Sequence, residues 1–363
     1  MLNKLIALSL CALLFLLGAC DNESSLPTAS GKASIRAINA IPSSGDINFL
    51  VEERSLGAIG YKSASSTARY DDLEYTFNFE VFYAGETSTR RVASQYIDFE
   101  VGKDYTLLMS GDLASPTLTL WEGEEREFVE TDTVFEAKFA HAASSLGSVD
   151  YYFDDEAVAP VLGNQVATLS FGEVSEPADF TEGTYVLTIT EAGDPDSVLY
   201  VSGSAFVGQR NALFFTAFDG DESDTAPVTA RAIAAQGTPL SLPDPNFPAT
   251  LQIINASQDL GTVDIYDDEA LTSRIVADHG YLDITDEDSR ASGTTDLFYT
   301  PAGDTAAVLL QTSFPAFDGA RYRLVTTGVA ESFNAVFSFP DRVPVLTAAK
   351  LLPFHASNNF GFL

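Results

Sequence analysis

Three histidines are the residues best suited to proton or metal chemistry: His141, His279 and His355. His141 and His355 sit in a short recurring pattern where two other copies carry Asn39 and Asn255. Asparagine and histidine can both hydrogen-bond nearby backbone from the end of a strand, so one structural reading covers all four positions. His279, in Ala277-Asp278-His279-Gly280, reads as a lone loop histidine. A serine hydrolase needs a nucleophile, a base and an orienting acid. There is no Gly-x-Ser-x-Gly, and no histidine has a distinctive context. Zinc needs several His or Cys ligands at ordered spacing, and there are too few. A glycosidase needs two carboxylates across a cleft, but 52 acidic residues place pairs everywhere, so pairing carries no information. No phosphate-binding glycine loop is present. Calcium is the one chemistry the sequence leaves open, because hard cations want several oxygens at close range. Residues 218–224 cluster Asp219, Asp221, Glu222 and Asp224, and 283–288 hold Asp283, Asp286, Glu287 and Asp288. The first cluster fails the EF-hand order, with Asp224 where glycine is required and Ala230 where glutamate should close the site. The recurring Asp154-Asp155-Glu156 and Asp267-Asp268-Glu269 suit a solvated turn. The expectation is a chain that is not an enzyme, with no catalytic residue, no metal ligand and no cofactor.

Cys20 carries a different chemistry. Lys4 precedes an apolar run from Leu5 to Leu17, broken only by Ser9, which is too short to span a bilayer. Leu17-Gly18-Ala19-Cys20 follows. Small residues let the backbone extend into a peptidase cleft, and a cysteine at the new terminus offers a thiol for acylation. This resembles the lipobox of bacterial lipoproteins. The resemblance implies cleavage before Cys20, lipidation of Cys20 with diacylglycerol and fatty acyl (palmitate) chains, and a lipid-anchored place in the bacterial cell envelope. The chain would hang at the periplasmic face of the inner or outer membrane, or at the cell surface. Asp21 after the cysteine resembles an inner-membrane retention signal of enteric sorting. Residues 21–32 are polar and without apolar period, so they read as a flexible tether.

Removal of Lys4 with the signal leaves 18 basic against 52 acidic side chains, a formal charge of −34. Such a field repels phosphate backbones and anionic head groups, which argues against nucleic acid as a partner. The expected partners are the membrane, through the N-terminal lipid, and an envelope protein or glycan. With Cys11 removed and Cys20 acylated, no disulfide or thiolate metal site remains, and the core alone must hold the fold.

The elements that position these residues come from repeats. Ser34–Ala40, Glu136–Ala142, Thr250–Ala256 and Lys350–Ala356 align at intervals of 102, 114 and 100 residues, each ending in Asn-Ala or His-Ala. Glycines 45, 147, 261 and 361 follow. Ala84-Gly85, Ala192-Gly193 and Ala302-Gly303 recur later, and then β-rich runs at Tyr105–Met109, Ala212–Thr216 and Tyr322–Thr326. The period inside each repeat is two, as in strands with one buried face. The expected fold class is all-β, tandem immunoglobulin-like antiparallel β-sandwich domains. The expected order is a signal at 1–19, a lipidated tether at 20–32, repeats at 33–123, 134–235 and 249–341, and a partial fourth repeat, first strand only, at 348–363. Val228–Gln236 is the one helix candidate. Residues 122–132 and the four-proline stretch 237–248 read as spacers, the prolines blocking strand pairing across the boundary. Three sandwiches in a row would then reach on the order of 100 Å. The partial fourth copy has three readings: a truncated product, a strand that pairs with the third repeat, or a donor strand for another chain.

Arg36-Ala-Ile-Asn39-Ala40, Val263-Asp264-Ile265-Tyr266, Ala192-Gly193 and Gly102-Lys-Asp-Tyr105-Thr106 resemble the family called domain of unknown function 4397. That family occurs in tandem in bacterial lipoproteins and surface proteins. The second repeat departs from it at Arg210-Asn211-Ala212, where an aromatic is expected. The resemblance implies a β-sandwich and an envelope location, and no catalytic residues. The function expected is a non-catalytic, lipid-anchored protein presenting tandem sandwiches for structural or interaction roles. A glycan- or ligand-binding module of the cell surface is the alternative.

Overall fold

Apolar and polar side chains alternate along most segments, and those segments form strands. The computed structural model describes residues 28–155, 158–330 and 332–339, together with 345, 347, 351, 353 and 356. The expected signal at 1–19, Cys20, the expected tether as far as Pro27, Glu156, His355 and nearly all of 348–363 lie outside the described residues. Repeat 1 contains β1 (Lys32–Asn39), β2 (Ile47–Val51), β3 (Arg54–Ile59), β4 (Ser63–Ala64), β5 (Ala68–Asp71), β6 (Glu74–Phe82), β7 (Thr89–Asp98), β8 (Lys103–Asp112) and β9 (Ser115–Glu124). Repeat 2 contains β10 (Val134–Ala142), β11 (Val149–Asp154), β12 (Ala167–Leu169), β13 (Ala178–Thr181), β14 (Gly183–Glu191), β15 (Asp194–Val201), β16 (Ala205–Val207), β17 (Ala212–Asp219), β18 (Val228–Ala234) and β19 (Leu240–Leu242). Repeat 3 contains β20 (Ala249–Asn255), β21 (Val263–Tyr266), β22 (Arg274–His279), β23 (Asp288–Arg290), β24 (Gly293–Pro301), β25 (Leu310–Ala316), β26 (Arg321–Val329) and β27 (Ser332–Ser338).

The molecule is all-β, and its repeats are sandwiches in tandem, as the period of two requires. One sheet of each repeat is antiparallel: β3-β2-β6-β7, β12-β11-β14-β15 and β22-β21-β24-β25. The other is mixed: β4-β1-β8-β9, β13-β10-β17-β18-β19 and β23-β20-β26-β27. In each mixed sheet the first strand runs parallel to the strand that opens the last hairpin, with Ile35 opposite Tyr105, Ala137 opposite Leu213 and Leu251 opposite Tyr322. The antiparallel expectation therefore needs this one amendment per repeat. Side-chain alternation is the same in both pairings, so the sequence pattern does not distinguish them.

Each sandwich closes on its own core. Ile35, Phe49, Phe77 and Leu107 meet in repeat 1, Phe139, Tyr151, Leu187 and Phe215 in repeat 2, and Ile253, Ile265, Tyr299 and Leu324 in repeat 3. A further apolar cluster belongs to no single repeat. Ile38, Ala40, Leu108 and Trp121 from the mixed sheet of repeat 1 pack on Ala140, Ala142, Phe214, Phe218 and Ile233 from the mixed sheet of repeat 2. Repeats 1 and 2 thus stack face to face, four sheets deep.

That packing overturns the expected extended row for these two repeats. Three smaller expectations also change. Val228–Ala234 is strand β18, its burial alternating along most of its length because Val228, Ala230 and Ala232 face the core of repeat 2. In the stretch 237–248, Leu240–Leu242 pairs with β18 and buries Leu242 in the core of repeat 2. Its prolines bracket this short edge strand, a place where the ladder tolerates them. The tether is shorter than its polar run, because Ser30 and Gly31 donate backbone N–H to Asp72 and Lys32 already pairs with Asp71.

Candidate functional site

The repeated strand-end residue is a clamp on the loop that follows it. Nε2 of His141 lies 2.8 Å from the carbonyl of Gly147, and Nδ1 accepts from the N–H of Ala143. Asn255 donates to the carbonyl of Gly261 and accepts from the N–H of Ser257. Asn39 accepts from Ile41 N–H and donates to Ser44, whose hydroxyl donates to the carbonyl of Gly45. Burial lowers the pKa of His141, and the bond to Gly147 and the charge of Asp219 only partly offset it. His279 ends β22, and its buried Nε2 has no hydrogen-bond partner among the described residues.

A second clamp explains the Val-Asp strand. Asp150 accepts the N–H of Gly193 at 2.8 Å, and Asp264 accepts that of Gly303 at 3.0 Å. Both glycines have positive φ, +80° and +74°, which a side chain would strain. In these two repeats the neighbouring alanine N–H closes the turn on Ser148 and Thr262. Repeat 1 differs. Ala84 donates instead to the carbonyl of Thr347 at 2.7 Å, and Val345 packs on Gly45, where a Cβ would come within 3.0 Å of it. The chain therefore returns to repeat 1 just before the partial fourth copy, and these two residues do not lie on repeat 3.

The acidic segment 218–224 binds the repeats to one another. Asp219 receives the N–H and hydroxyl groups of Ser144 and Ser145. Its carbonyl accepts from Tyr61 of repeat 1 at 2.8 Å. Nζ of Lys62, also from repeat 1 and nearly fully buried, lies 2.7 Å from Asp221 and also bonds Asp224. Burial alone would push the Asp221 carboxyl up, but Lys62 and the two bonds from Ser223 outweigh it and hold it below the usual carboxylate range. On the other side, Asp224 bridges Ala320, and its carbonyl accepts from Nε of Arg321. One loop of repeat 2 therefore touches both neighbours. In the second acidic cluster, Asp283 accepts from Gly280 N–H, Glu287 pairs with Arg321 and Asp288 with Arg290. Among the described residues no three acidic, histidine or cysteine side chains converge to hold a metal ion.

Recesses open at both junctions between repeats. The first, of about 460 Å³, opens where the mixed sheets of repeats 1 and 2 part, with Trp121, Lys138 and Phe214 in its wall. Trp121 stacks on Phe214 at 5.8 Å and donates its indole N–H to the carbonyl of Gly172 at 2.8 Å. An inner lobe of about 110 Å³ reaches Arg36 and Thr67. The pattern Ser34-x-Arg36 on one strand and Glu136-x-Lys138 on its counterpart places all four on the outer face of a mixed sheet. That alternation was the available signal for this cleft. The second recess, of about 580 Å³, lies between repeats 2 and 3 and is lined by Tyr200, Arg231, Leu240, Asp244, Phe317 and Phe339. Phe317 is 60% and Phe339 68% exposed. The other well-exposed rings, Phe82, Tyr96, Phe171, Phe206 and Tyr281, lie outside both recesses.

No family model matches the chain, and no curated protein matches it. Among solved structures it is similar to a carbohydrate-binding module of family CBM26 from Eubacterium rectale, crystallised with maltoheptaose. The identity is 10%, the match covers 51% of this chain and 91% of the module, and the TM-score is 0.15. At that TM-score the likeness carries no argument about what the chain binds.

Proposed function

We propose that the chain is a non-catalytic lipoprotein of the bacterial cell envelope, cleaved before Cys20 and lipidated there, that holds packed β-sandwiches at a membrane for a structural or interaction role. The observation that supports the structural part of this reading is the face-to-face burial of repeats 1 and 2, which joins successive domains into one body, with Trp121 stacked on Phe214 beside its open end. Burying six large side chains there contributes on the order of 10 kcal/mol as an upper bound. His141 is committed to the backbone of its own loop, which supports a structural use of the histidine. The formal charge stands the body off anionic head groups, so the lipid tethers the domains without docking them. One acyl chain gives marginal binding, and two or more hold stably. The test is metabolic labelling with a radioactive fatty acid in a bacterial host, followed by fractionation. Wild-type protein should carry label and sediment with membranes, and Cys20→Ala should lose both. Unlabelled wild-type protein would sink the proposal.

A second reading, a glycan-binding surface, is favoured by the two exposed phenyl rings in the recess between repeats 2 and 3. Aromatic faces and nearby charged groups such as Arg231 and Asp244 suit sugar rings and their hydroxyls. Affinity electrophoresis in gels containing soluble polysaccharides tests it. Retardation that disappears in Phe317→Ala/Phe339→Ala would support it, and no retardation in any gel would remove it.

A further inference from the structure

The interface of repeats 1 and 2 is closed around Ile38, Leu108 and Phe218 but open at the end where β1 and β10 begin. Phe214 lies at the bottom of that opening. The guanidinium of Arg36 sits 4.3 Å above its ring centroid and Nζ of Lys138 5.3 Å from the same centroid. Arg36 is 2% exposed. Two buried cations drawn to one ring need anions at hydrogen-bonding distance. The fold offers only loose ones. Asp104 stands 3.7 Å from Nη2 of Arg36, and Glu136 stands 3.7 Å from Nζ of Lys138. Both gaps exceed hydrogen-bond length. Nε of Arg36 donates to Thr106 at 3.2 Å, but its Nη1 is buried without a partner. Thr67 Oγ1, on the same inner lobe, is also buried and unpaired. Buried polar atoms are rarely left so, and these two share one cavity.

We propose that this cleft binds a small sugar acid, its carboxylate seated between Nη1 of Arg36 and Nζ of Lys138 and its hydroxyls turned toward the carboxylates of the mouth. Three features select that class. The orphaned donor and the loosely paired ammonium call for an anion. Glu122, Glu124, Glu125 and Glu176 outnumber Lys103 and Arg126 around the mouth, and the excess negative charge disfavours a phosphate dianion, yet carboxylates accept hydrogen bonds from hydroxyls. The cavity volume falls in the range of about 300–1,000 Å³ usual for small-molecule sites. This inference goes beyond the structural role proposed above and is independent of the lipid anchor.

The protein contains its own reporter. Trp121 is the one tryptophan of the chain and lines the cleft. Full-length protein in detergent is titrated with D-glucuronate, acetate, D-glucose and inorganic phosphate at constant ionic strength, with tryptophan emission as the readout. Glucuronate should give a saturable change, with glucose, acetate and phosphate each at least tenfold weaker. Lys138→Met should weaken glucuronate at least tenfold while melting within a few degrees of wild type, and Arg36→Gln should do the same where it folds. A flat glucuronate titration overturns the site. So does an unchanged response in folded Lys138→Met. Acetate as strong as glucuronate, or phosphate stronger, overturns the ligand class.

Discussion

Repeat 2 meets its two neighbours in different ways. Toward repeat 1 it presents a sheet face, and nine buried apolar side chains from both repeats close on each other. Toward repeat 3 it presents loops. Thr225 donates to Gly319, Gly319 to Phe247 and Arg321 to Asp224, while no apolar cluster among the described residues spans that junction. Burial of apolar surface is strong and insensitive to direction, and a few hydrogen bonds are weak and directional. The first junction should therefore behave as a core and the second as a hinge with a recess beside it.

The largest effect should come from the aromatic stack of the first junction. Trp121→Ala removes the stack on Phe214 and the bond to Gly172, at a cost of about 3–5 kcal/mol. In calorimetry of the full chain, repeats 1 and 2 should melt together in wild type and separately in the variant. Two separate transitions in wild type would mean that the face-to-face packing does not couple them, and an unsplit transition in the variant that Trp121 is not what couples them. Lys62→Met comes next. It leaves Asp221 and Asp224 without their buried ammonium, and about 3 kcal/mol should be lost in denaturant titration.

The same ion pair makes the first junction sensitive to acid. The folded Asp221 carboxyl titrates below its ordinary value because of Lys62 and Ser223. Its stabilisation is complete above the unfolded carboxylate value, about 3.9, and is lost as pH falls through the lower folded value. Trp121 emission should thus hold from pH 7 to about 5 and shift below about 4. The acceptors at the second junction are the carbonyls of Asp224, Gly319 and Phe247, which do not titrate. Emission unchanged down to pH 2 would show that the pair does not hold the faces together.

These differences mark how far the sequence could be read. The sandwiches were legible because Ile35, Ala37 and their counterparts alternate with polar residues, and the strand-end clamp because Asn39, His141 and Asn255 share one place. The loop 218–224 was visible as a carboxylate cluster, but its purpose depends on Lys62, 159 residues before Asp221, which no local pattern links to it. The stacking of repeats 1 and 2 left a mark that alternation alone does not weigh. Tyr105–Met109 and Ala212–Thr216 carry adjacent large apolar residues, Leu107-Leu108 and Phe214-Phe215, as strands covered on both faces do. Their counterpart in repeat 3 carries such a pair too, the buried Leu324-Val325, but Arg321 and Arg323 flank it and no apolar cluster among the described residues joins it to another repeat, so the pair alone does not tell which sheets stack. The short strand Leu240–Leu242 was hidden among prolines that read as a spacer.

The second junction should tolerate damage better. Arg321→Met removes one bond to the carbonyl of Asp224 and the pairing with Glu287, a cost of about 1–2 kcal/mol. Limited proteolysis should then cut faster within 237–248, while Trp121 emission stays unchanged. An emission change as large as the one expected on acidification would mean that both junctions form one cooperative unit and the contrast fails.

The smallest effect concerns the third contact, where the chain returns to repeat 1. In repeats 2 and 3 the turn alanines, Ala192 and Ala302, bond within their own domain, to Ser148 and Thr262. Ala84 has Thr347 in that role, and Val345 fills the space over Gly45. Among the described residues, deleting 343–363 removes one backbone bond and a little burial, about 1 kcal/mol. Melting would barely register it, but amide exchange resolves it residue by residue. The Ala84 amide should exchange faster in the truncated chain, with Ala192 and Ala302 unchanged. Equal protection of Ala84 in both chains would show that the tail contact adds nothing, and repeat 1 would then rest on its sheet face alone.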